Sequence, residues 1–415
     1  MAATAVHVPV SDYPLPLSEN GLAVEYLTGN HSHDIPTETY DNEVKALLKK
    51  LESKPGFDKN LKFDPKKHII FKEEDFDKVK TFTLQDLKIE KTHCKTHSDF
   101  GATFPFPLIN QEACDMLVYE ALQPKIMDKW GRLPNLAKDS TGLDFHVGGH
   151  INAAPFTKGL WHSPEIRKIF ERFYGVPVAP IYDSEIAHFN VSLASLDAKE
   201  EKSIDELKEE LKKQTEEQNE TGGDQIPSVL GLHYDSVGFV CVIMVDCGDG
   251  EEMIGGETGI ITGDEKVVRV PDPKVGHCTL LQGRVIRHVA TKPLNNSNRI
   301  TSVGGFYPSD PDVLDNSALT STKPSVLPRA LNDQFYPDWF DHRFRKMEAY
   351  MKSYREKLVD NLNKGGSFDQ EEAVKKCKEL EDYLRKSWYE LEAVSNNPYP
   401  AKHFQIPYSD LPDYE

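Results

Sequence analysis

Three residues near the middle of the chain have the types and the spacing of a metal site. His233 and Asp235 lie two positions apart in the stretch LGLHYDS, and such positions project from the same side of a strand. His288 follows Asp235 by 53 residues, in a second strand-like stretch, VIRHVAT. Two imidazoles and one carboxylate occupy one face of an octahedral ion and leave three positions open. The trio therefore predicts a metal site that accepts further ligands.

Arg299 extends this prediction. It follows His288 by 11 residues and begins the stretch RITSV. A guanidinium group is permanently charged and binds a carboxylate through two parallel hydrogen bonds, so it suits a dicarboxylate co-substrate bound beside the metal. Two histidines, one carboxylate and open coordination positions are typical of non-haem Fe(II) oxygenases.

A second His-x-Asp triplet competes with the first. His97 and Asp99 are spaced in the same way, and His146 and His150 follow them at about the right distance. These two histidines lie in a Gly-rich segment, FHVGGHI, with no strand-like stretch carrying an arginine after them. We therefore favour the first trio. A structural role for all of these histidines, without a metal, is the remaining alternative.

The segment around the favoured trio has the pattern of an all-β module. From Leu230 to Tyr307 short apolar stretches are separated by Gly, Asp and Asn, which indicates a sandwich or barrel. The stretch IAHFNVSLASL before it alternates, so that one face is apolar and the other carries His188, Asn190 and Ser192. This polar face is suited to line a cavity.

Helical patterns flank the module, and the predicted fold class is α+β. Residues 37–53 and 110–123 have helical periodicity, and Pro164 and Gly175 bound a further helix. The predicted organisation is an irregular arm at 1–35, a helical region packing on the core at 36–175, the core at 176–330 with a charged insertion at 197–228, a helical hairpin at 331–395 and a tail at 396–415. The hairpin would pack on a sheet or on a second copy of the chain, as a homodimer.

The composition disfavours some classes of binding partner and some cellular settings. The 415 residues carry a net charge of −18, which repels a phosphate backbone and disfavours nucleic acid. The apolar runs are too short to span a membrane. The six cysteines are widely spread without a C-x-x-C pair, and no secretory signal is recognisable, so we expect a reduced, cytoplasmic setting.

Residues from about 180 to 310 resemble the double-stranded β-helix, or jelly-roll, of the Fe(II)/2-oxoglutarate-dependent oxygenases. The resemblance rests on four segments, which are HYD at 233–235, GGET at 255–258, LLQGRVIRH at 280–288 and NRITSV at 298–303. The wider pattern is similar to fungal members that modify amino acids and natural products. The resemblance implies a jelly-roll core, a small-molecule substrate and Fe(II), 2-oxoglutarate and O2 as cofactor and co-substrates.

Carried over residue by residue, the resemblance implies iron ligands at His233, Asp235 and His288 and an Arg299 that binds the distal carboxylate of 2-oxoglutarate. Thr301 stands where many relatives have serine and keeps the hydroxyl. Asn190 is a further candidate for co-substrate binding. Weaker candidates, each with a competing structural interpretation, are His188, Glu257, Arg284 and Arg287, whereas Tyr234 should point away from the metal.

The implied reaction is oxidation of a C–H bond by hydroxylation, desaturation or ring closure. Two other functions remain open. One is an iron oxidase or oxygenase with the same triad but without 2-oxoglutarate. The other is a non-catalytic β-helix protein that binds a ligand.

Overall fold

Two antiparallel sheets with helices around them form the fold, which is α+β. The structure is a computed structural model that describes residues 35–133, 143–195, 202–221, 228–248, 253–271, 274–319 and 332–389. Its strands are β1 Thr81–Thr83, β2 Phe100–Thr103, β3 Phe106–Pro107, β4 Gly131–Arg132, β5 Asp144–Val147, β6 Val178–Pro180, β7 His188–Ser192, β8 Ser228–His233, β9 Phe239–Asp246, β10 Thr258–Ile261, β11 Val267–Val270, β12 His277–Leu281, β13 His288–Thr291 and β14 Arg299–Pro308.

The larger sheet has the order β1-β2-β12-β9-β14-β7-β5-β4, with β3 paired to β12 and β6 paired to β14. The smaller sheet has the order β11-β10-β13-β8. Within the larger sheet β14 is central, because it pairs with β9 on one side and with β7 on the other. The strands that carry His233 and His288 belong to the smaller sheet, whereas the strand that carries Arg299 belongs to the larger one.

The alternation predicted for β7 is confirmed. Phe189 and Val191 are fully buried in the main hydrophobic core, while Asn190 and Ser192 are buried polar residues on the opposite face. The alternating sequence therefore places apolar side chains in the hydrophobic core and leaves a polar face on the other side of the sheet.

The N-terminal region contains both helices and strands. Its helices are α1 Thr37–Thr39, α2 Lys45–Glu52, α3 Pro65–His68, α4 Gln111–Ala121, α5 Pro124–Trp130, α6 Pro155–Trp161 and α7 Pro164–Tyr174, with a π-helical segment at Tyr40–Val44 and 3-10 turns at Glu73–Lys78 and Ile151–Ala153. The sequence predicts a helical region at 36–175, and in the structure β1 to β5 also lie there and extend the larger sheet. These strands have two to four residues, too few for a periodic pattern to show.

Helix α7 has the ends that its sequence predicts. The Ser163 side chain accepts hydrogen bonds from the backbone N–H groups of Glu165 and Ile166, and Pro164 occupies the first turn. Gly175 ends the helix with a φ of 74°, a left-handed conformation that favours glycine.

The charged insertion is helical in its described part, where α8 spans Ile204–Thr221. The C-terminal hairpin consists of α9 Asn332–Asn363 and α10 Gln370–Tyr389. The predicted N-terminal arm and C-terminal tail lie outside the described residues, except for residue 35.

Buried polar contacts attach the hairpin to the segment after β14. The Tyr383 hydroxyl donates to Asp315 at 2.6 Å, while the Trp339 indole N–H joins the two helices of the hairpin by donating to the Ser387 carbonyl at 2.8 Å. Lys346 donates to the carbonyl oxygens of Pro308 and Asp310. The hairpin thus packs on the core of its own chain. Its outer surface keeps exposed apolar side chains, and the homodimer stays a prediction.

In the described residues no helix is long and apolar enough to cross a membrane. All six cysteines are free thiols, as their scattered positions lead one to expect.

Gly304 offers a test of core packing. A Cβ atom at this position would lie 2.1 Å from the buried Trp161 ring, so we expect Gly304→Ala to lower the free energy of unfolding by about 3 kcal/mol, the upper end of the usual overpacking cost. Gly56→Ala is the control, because its Cβ would meet nothing within 4 Å and only the left-handed backbone costs about 1 kcal/mol. Urea denaturation measures both, and equal losses would contradict the packing argument.

Candidate metal centre

His233, Asp235 and His288 lie together, with one ligand atom from each residue within 4.8 Å of the others. Antiparallel pairing of β8 with β13 sets His233 directly opposite His288, and the two ring centroids are 4.4 Å apart. The Asp235 carboxylate lies 3.5 Å from His233 Nε2 and 3.4 Å from His288 Nε2. The donor atoms converge on one point, as metal binding requires.

Asp235 is positioned differently from the sequence-based expectation. Strand β8 ends at His233, so strand alternation does not place the carboxylate. Instead the Asp235 backbone N–H donates to the Gly283 carbonyl at 3.0 Å. A Cβ atom on residue 283 would lie 2.2 Å from Asp235 Oδ2. Glycine at position 283 therefore allows this carboxylate to approach the chain that leads to His288.

Gly283→Ala should therefore weaken metal binding. The added methyl group would push the Asp235 carboxylate away from the two histidines, and we expect the affinity for Fe(II) to fall by roughly 10- to 100-fold, the usual effect of misplacing a ligand through its neighbours. Anaerobic calorimetric titration with Fe(II) measures this. Gly365→Ala, whose Cβ would meet nothing within 4 Å, is the control. Unchanged affinity in Gly283→Ala would mean that Asp235 does not need this position.

His288 is held in a tautomer suited to metal binding. Its Nδ1 lies 3.0 Å from the Ile286 carbonyl oxygen, and an N–H there donates to that oxygen and leaves Nε2 free as a ligand. Burial lowers the pKa of His288 against the opposing effect of Asp235. Burial acts to raise the pKa of Asp235, but His288 and His233 outweigh it and the pKa lies below its ordinary value.

Arg299 is buried with part of its hydrogen-bonding capacity unused. Its Nε donates to the Gly256 carbonyl at 2.7 Å, a bond that joins the larger sheet to the loop before β10. Its Nη1 has no hydrogen-bond partner. Burial lowers the pKa of Arg299 to about 10, so the group stays cationic at neutral pH. Glu257 interacts with it electrostatically but forms its ion pair with Arg269, at 3.0 Å.

A row of polar side chains crosses the larger sheet next to Arg299. Pairing sets Thr301 beside Asn190, Asn190 beside His146 and His146 beside Arg132, across β14, β7, β5 and β4. All four residues are buried. Each has a polar atom without a partner, namely Thr301 Oγ1, Asn190 Oδ1, His146 Nε2 and Arg132 Nε. Because buried polar groups normally have partners, this face has hydrogen-bonding capacity that a polar ligand could use.

The competing triplet does not assemble. Among the described residues, His233, Asp235 and His288 form the single group that could hold a metal ion. Burial lowers the pKa of His97 to about 4, and its polar neighbours are Asp315 and Asn316. His146 instead lies near the favoured trio, since it interacts electrostatically with His233.

Most of the weaker candidates have structural partners. Arg284 donates to the Asn316 carbonyl, Arg287 pairs with Glu265, and Tyr234 packs on the His93 ring at 4.1 Å between centroids. His188 differs from them, because its ring centroid lies 5.0 Å from that of His146, beside the polar row.

Sequence reasoning missed Gly283, Arg132 and Glu185, and it set His146 aside. The burial of Glu185 raises its pKa to about 8, and it interacts electrostatically with Asp235. Strand pairing brings these residues to the site from segments without a recognisable motif. The GGHI part of FHVGGHI carried a signal, since glycines near a strand end often mark a close approach of two segments.

No protein-family model matches the sequence, and no curated protein matches it. Among solved structures, the α-ketoglutarate-dependent epimerase SnoN from nogalamycin biosynthesis is similar at 13% identity and a TM-score of 0.26, over 40% of this chain and 62% of the SnoN chain. An oxidoreductase of the 2OG-Fe(II) oxygenase family from Burkholderia pseudomallei is similar at 13% identity and a TM-score of 0.26, over 40% of this chain and 70% of the oxidoreductase chain. A prolyl 4-hydroxylase structure from Phytophthora capsici is similar at 13% identity and a TM-score of 0.31, over 64% of this chain and 84% of the hydroxylase chain. The neighbours thus include members of the family that the sequence resembles.

Proposed function

We propose that the protein is an Fe(II)- and 2-oxoglutarate-dependent oxygenase that oxidises a C–H bond of a small molecule. The observation that carries the proposal is the convergence of His233, Asp235 and His288 within 4.8 Å. In this proposal the two sheets are a jelly-roll, and residues 176–330 are the main part of its catalytic core.

The donor set fits iron. Two imidazoles and one carboxylate are the ligands of non-haem Fe(II) oxygenases. Asp235 Oδ2 is buried without a hydrogen-bond partner, which is costly for a carboxylate unless a cation is bound. The tautomer of His288 directs Nε2 toward the same point.

The surroundings of Arg299 fit 2-oxoglutarate. Arg299 Nη1 and Thr301 Oγ1 are buried donors without partners, and they lie two positions apart on β14, so both project from the same face. A carboxylate bound there would accept a charge-assisted bond from the guanidinium and a second bond from the hydroxyl. Asn190, which pairs with Thr301 on the neighbouring strand, is placed to contact the same ligand.

Bound iron and 2-oxoglutarate would supply, with O2, the oxidising chemistry for a substrate C–H bond, while 2-oxoglutarate is converted to succinate and CO2. The chain's own residues would bind and orient the metal and the co-substrate. His233, Asp235 and His288 would hold the metal, and Arg299 with Thr301 would fix the far end of 2-oxoglutarate. The burial of Arg299 and Thr301 keeps water away from that carboxylate and strengthens its electrostatic binding. Hydroxylation is the simplest outcome, and desaturation or ring closure differ in the fate of the same substrate position.

Anaerobic titration with Fe(II), with and without 2-oxoglutarate, tests the proposal. The expected result is a weak visible absorption band that requires both, followed by succinate formation when O2 and substrate are admitted. Binding of Fe(II) without any effect of 2-oxoglutarate would favour the iron oxidase alternative. Binding of neither would favour a non-catalytic ligand-binding protein.

A further inference from the structure

Residues 315–318, here called the bridging segment, follow β14 and are hydrogen-bonded to the chain directly after Asp235. The Ala318 N–H donates to the Ser236 carbonyl at 2.8 Å. Both residues are buried, so solvent does not compete for this bond. The bridging segment therefore fixes the backbone one residue beyond the predicted iron ligand.

The bridging segment also contacts the chain that accepts the Asp235 N–H. That N–H donates to the Gly283 carbonyl at 3.0 Å. The next residue, Arg284, donates from its Nε to the Asn316 carbonyl at 3.3 Å, and Arg284 and Asn316 are both buried. Asp235 is thus held by two stretches of chain that a single segment ties together.

The C-terminal hairpin holds the bridging segment through Asp315. This carboxylate is fully buried. It accepts a hydrogen bond from the Tyr383 hydroxyl of α10 at 2.6 Å and lies 3.3 Å from His342 Nε2 of α9. It also accepts a bond from the Ser317 backbone N–H at 2.9 Å, a local contact of the Asx-turn type. Because a buried carboxylate is costly without such partners, these bonds favour one arrangement of the segment.

Arg343 of α9 completes the attachment. It is 1% exposed, and its Nη1 donates to the Ser317 carbonyl at 3.3 Å. Its Nη2 donates to the Tyr383 carbonyl at 2.6 Å, and its Nε donates to Ser387 Oγ at 2.9 Å. One guanidinium group therefore binds the bridging segment and α10 at the same time, and the buried network includes both helices of the hairpin.

Asp235 depends on such contacts more than the two histidines do. His233 and His288 are placed by the pairing of β8 with β13, whereas β8 ends at His233 and Asp235 lies beyond it. The strand ladder therefore does not position the carboxylate. Contacts that orient a metal ligand contribute strongly to metal affinity, and the bridging segment supplies such contacts from outside the smaller sheet.

We propose that the C-terminal hairpin positions Asp235 for metal binding, acting through the bridging segment. Asp315, Arg343 and Tyr383 are then positioning residues, because they hold the segment without contacting the metal. This inference rests on the proposed function and adds a role for the hairpin, which lies outside the predicted catalytic core. By linkage, contacts that favour the metal-binding position of Asp235 are themselves strengthened when the metal binds.

Tyr383→Phe tests the link with a small change. It removes the hydroxyl that donates to Asp315 and keeps the aromatic ring. We expect the affinity of the full chain for Fe(II) to fall roughly 2- to 30-fold, the range that mutations along such networks produce. Anaerobic calorimetric titration with Fe(II) measures this affinity, and circular dichroism checks that the variant folds.

Tyr350→Phe is the matched control. The Tyr350 hydroxyl donates to Glu379, so this variant loses a hydrogen bond between α9 and α10. Among the described residues that hydroxyl has no hydrogen bond to the bridging segment. Its Fe(II) affinity should therefore equal that of the unmodified protein, even if the hairpin becomes less stable.

Hydrogen exchange of the unmodified protein tests the coupling in the reverse direction. Mass spectrometry without O2 follows the backbone amides of α10 with and without Fe(II). We expect Fe(II) to slow exchange in α10 more than in α2, which serves as the reference for general stabilisation of the fold. This measurement decides the inference if Tyr383→Phe does not fold.

Three outcomes would overturn the inference. These are unchanged Fe(II) affinity in folded Tyr383→Phe, an equal loss of affinity in Tyr350→Phe, and exchange in α10 that Fe(II) slows no more than in α2. In each case a visible band of the unmodified protein that requires both Fe(II) and 2-oxoglutarate shows that the proposed function survives. If the unmodified protein binds no Fe(II), the proposed function is refuted and the role of the hairpin falls with it.

Discussion

Asp235→Ala should lower succinate formation from 2-oxoglutarate at least about a hundredfold, because even neighbours that only orient a metal ligand contribute up to about this factor. The carboxylate supplies the negative charge between His233 and His288, at 3.5 and 3.4 Å from their Nε2 atoms. Without it, two neutral imidazoles bind Fe(II) weakly, and the metal is lost before turnover. Succinate and O2 consumption measure activity, and anaerobic calorimetry with Fe(II) measures binding.

His97→Ala is the control for this prediction. His97 belongs to the competing His-x-Asp triplet, and it lies near Asp315 and Asn316 instead of the candidate metal centre. We expect its Fe(II) affinity to equal that of the unmodified protein. Full turnover in Asp235→Ala together with inactivity in His97→Ala would show that the wrong triplet has been chosen.

Arg299→Ala should raise the dissociation constant for 2-oxoglutarate by roughly 30-fold or more. Loss of one partner from a buried, hydrogen-bonded charge pair costs about 2–5 kcal/mol, and Arg299 is only 2% exposed. Fe(II) binding should change little, because the guanidinium is not a ligand. The dependence of the anaerobic visible band on 2-oxoglutarate concentration measures the constant.

Arg345→Ala is the matched control, because its side chain is 75% exposed and distant in sequence from β14. Equal 2-oxoglutarate affinity in Arg299→Ala and the control would favour an iron enzyme that does not use 2-oxoglutarate. A parallel loss of Fe(II) affinity would instead indicate that Arg299 supports the fold, through its bond to the Gly256 carbonyl.

The charges around Arg299 explain how this cation is tolerated before a ligand binds. Glu257 interacts with it electrostatically but is held by Arg269 at 3.0 Å and by the Thr291 hydroxyl at 3.3 Å. The carboxylate therefore lowers the cost of the buried guanidinium without occupying its free Nη1. The sequence left a structural interpretation open for Glu257, and its contacts with Arg269 and Thr291 are of that kind.

Much of the site was predictable from short segments. Period-two alternation placed Asn190 on the polar face of β7, and Arg299 and Thr301 share a face for the same reason. The types of His233, Asp235 and His288 indicated a metal site because few other arrangements use two imidazoles and one carboxylate. These conclusions depend on residue type and on local backbone geometry, and a short stretch of sequence determines both.

Only the tertiary structure decided which triplet assembles and what surrounds it. Both His-x-Asp triplets have suitable spacing, and the pairing of β8 with β13 brings His233 to His288. The pairing of β4 with β5 adds Arg132 and His146 from distant parts of the chain. Strand register between distant segments depends on burial across the whole core. The sequence by itself therefore determined the chemistry of the predicted ligands, while long-range pairing decided which residues meet.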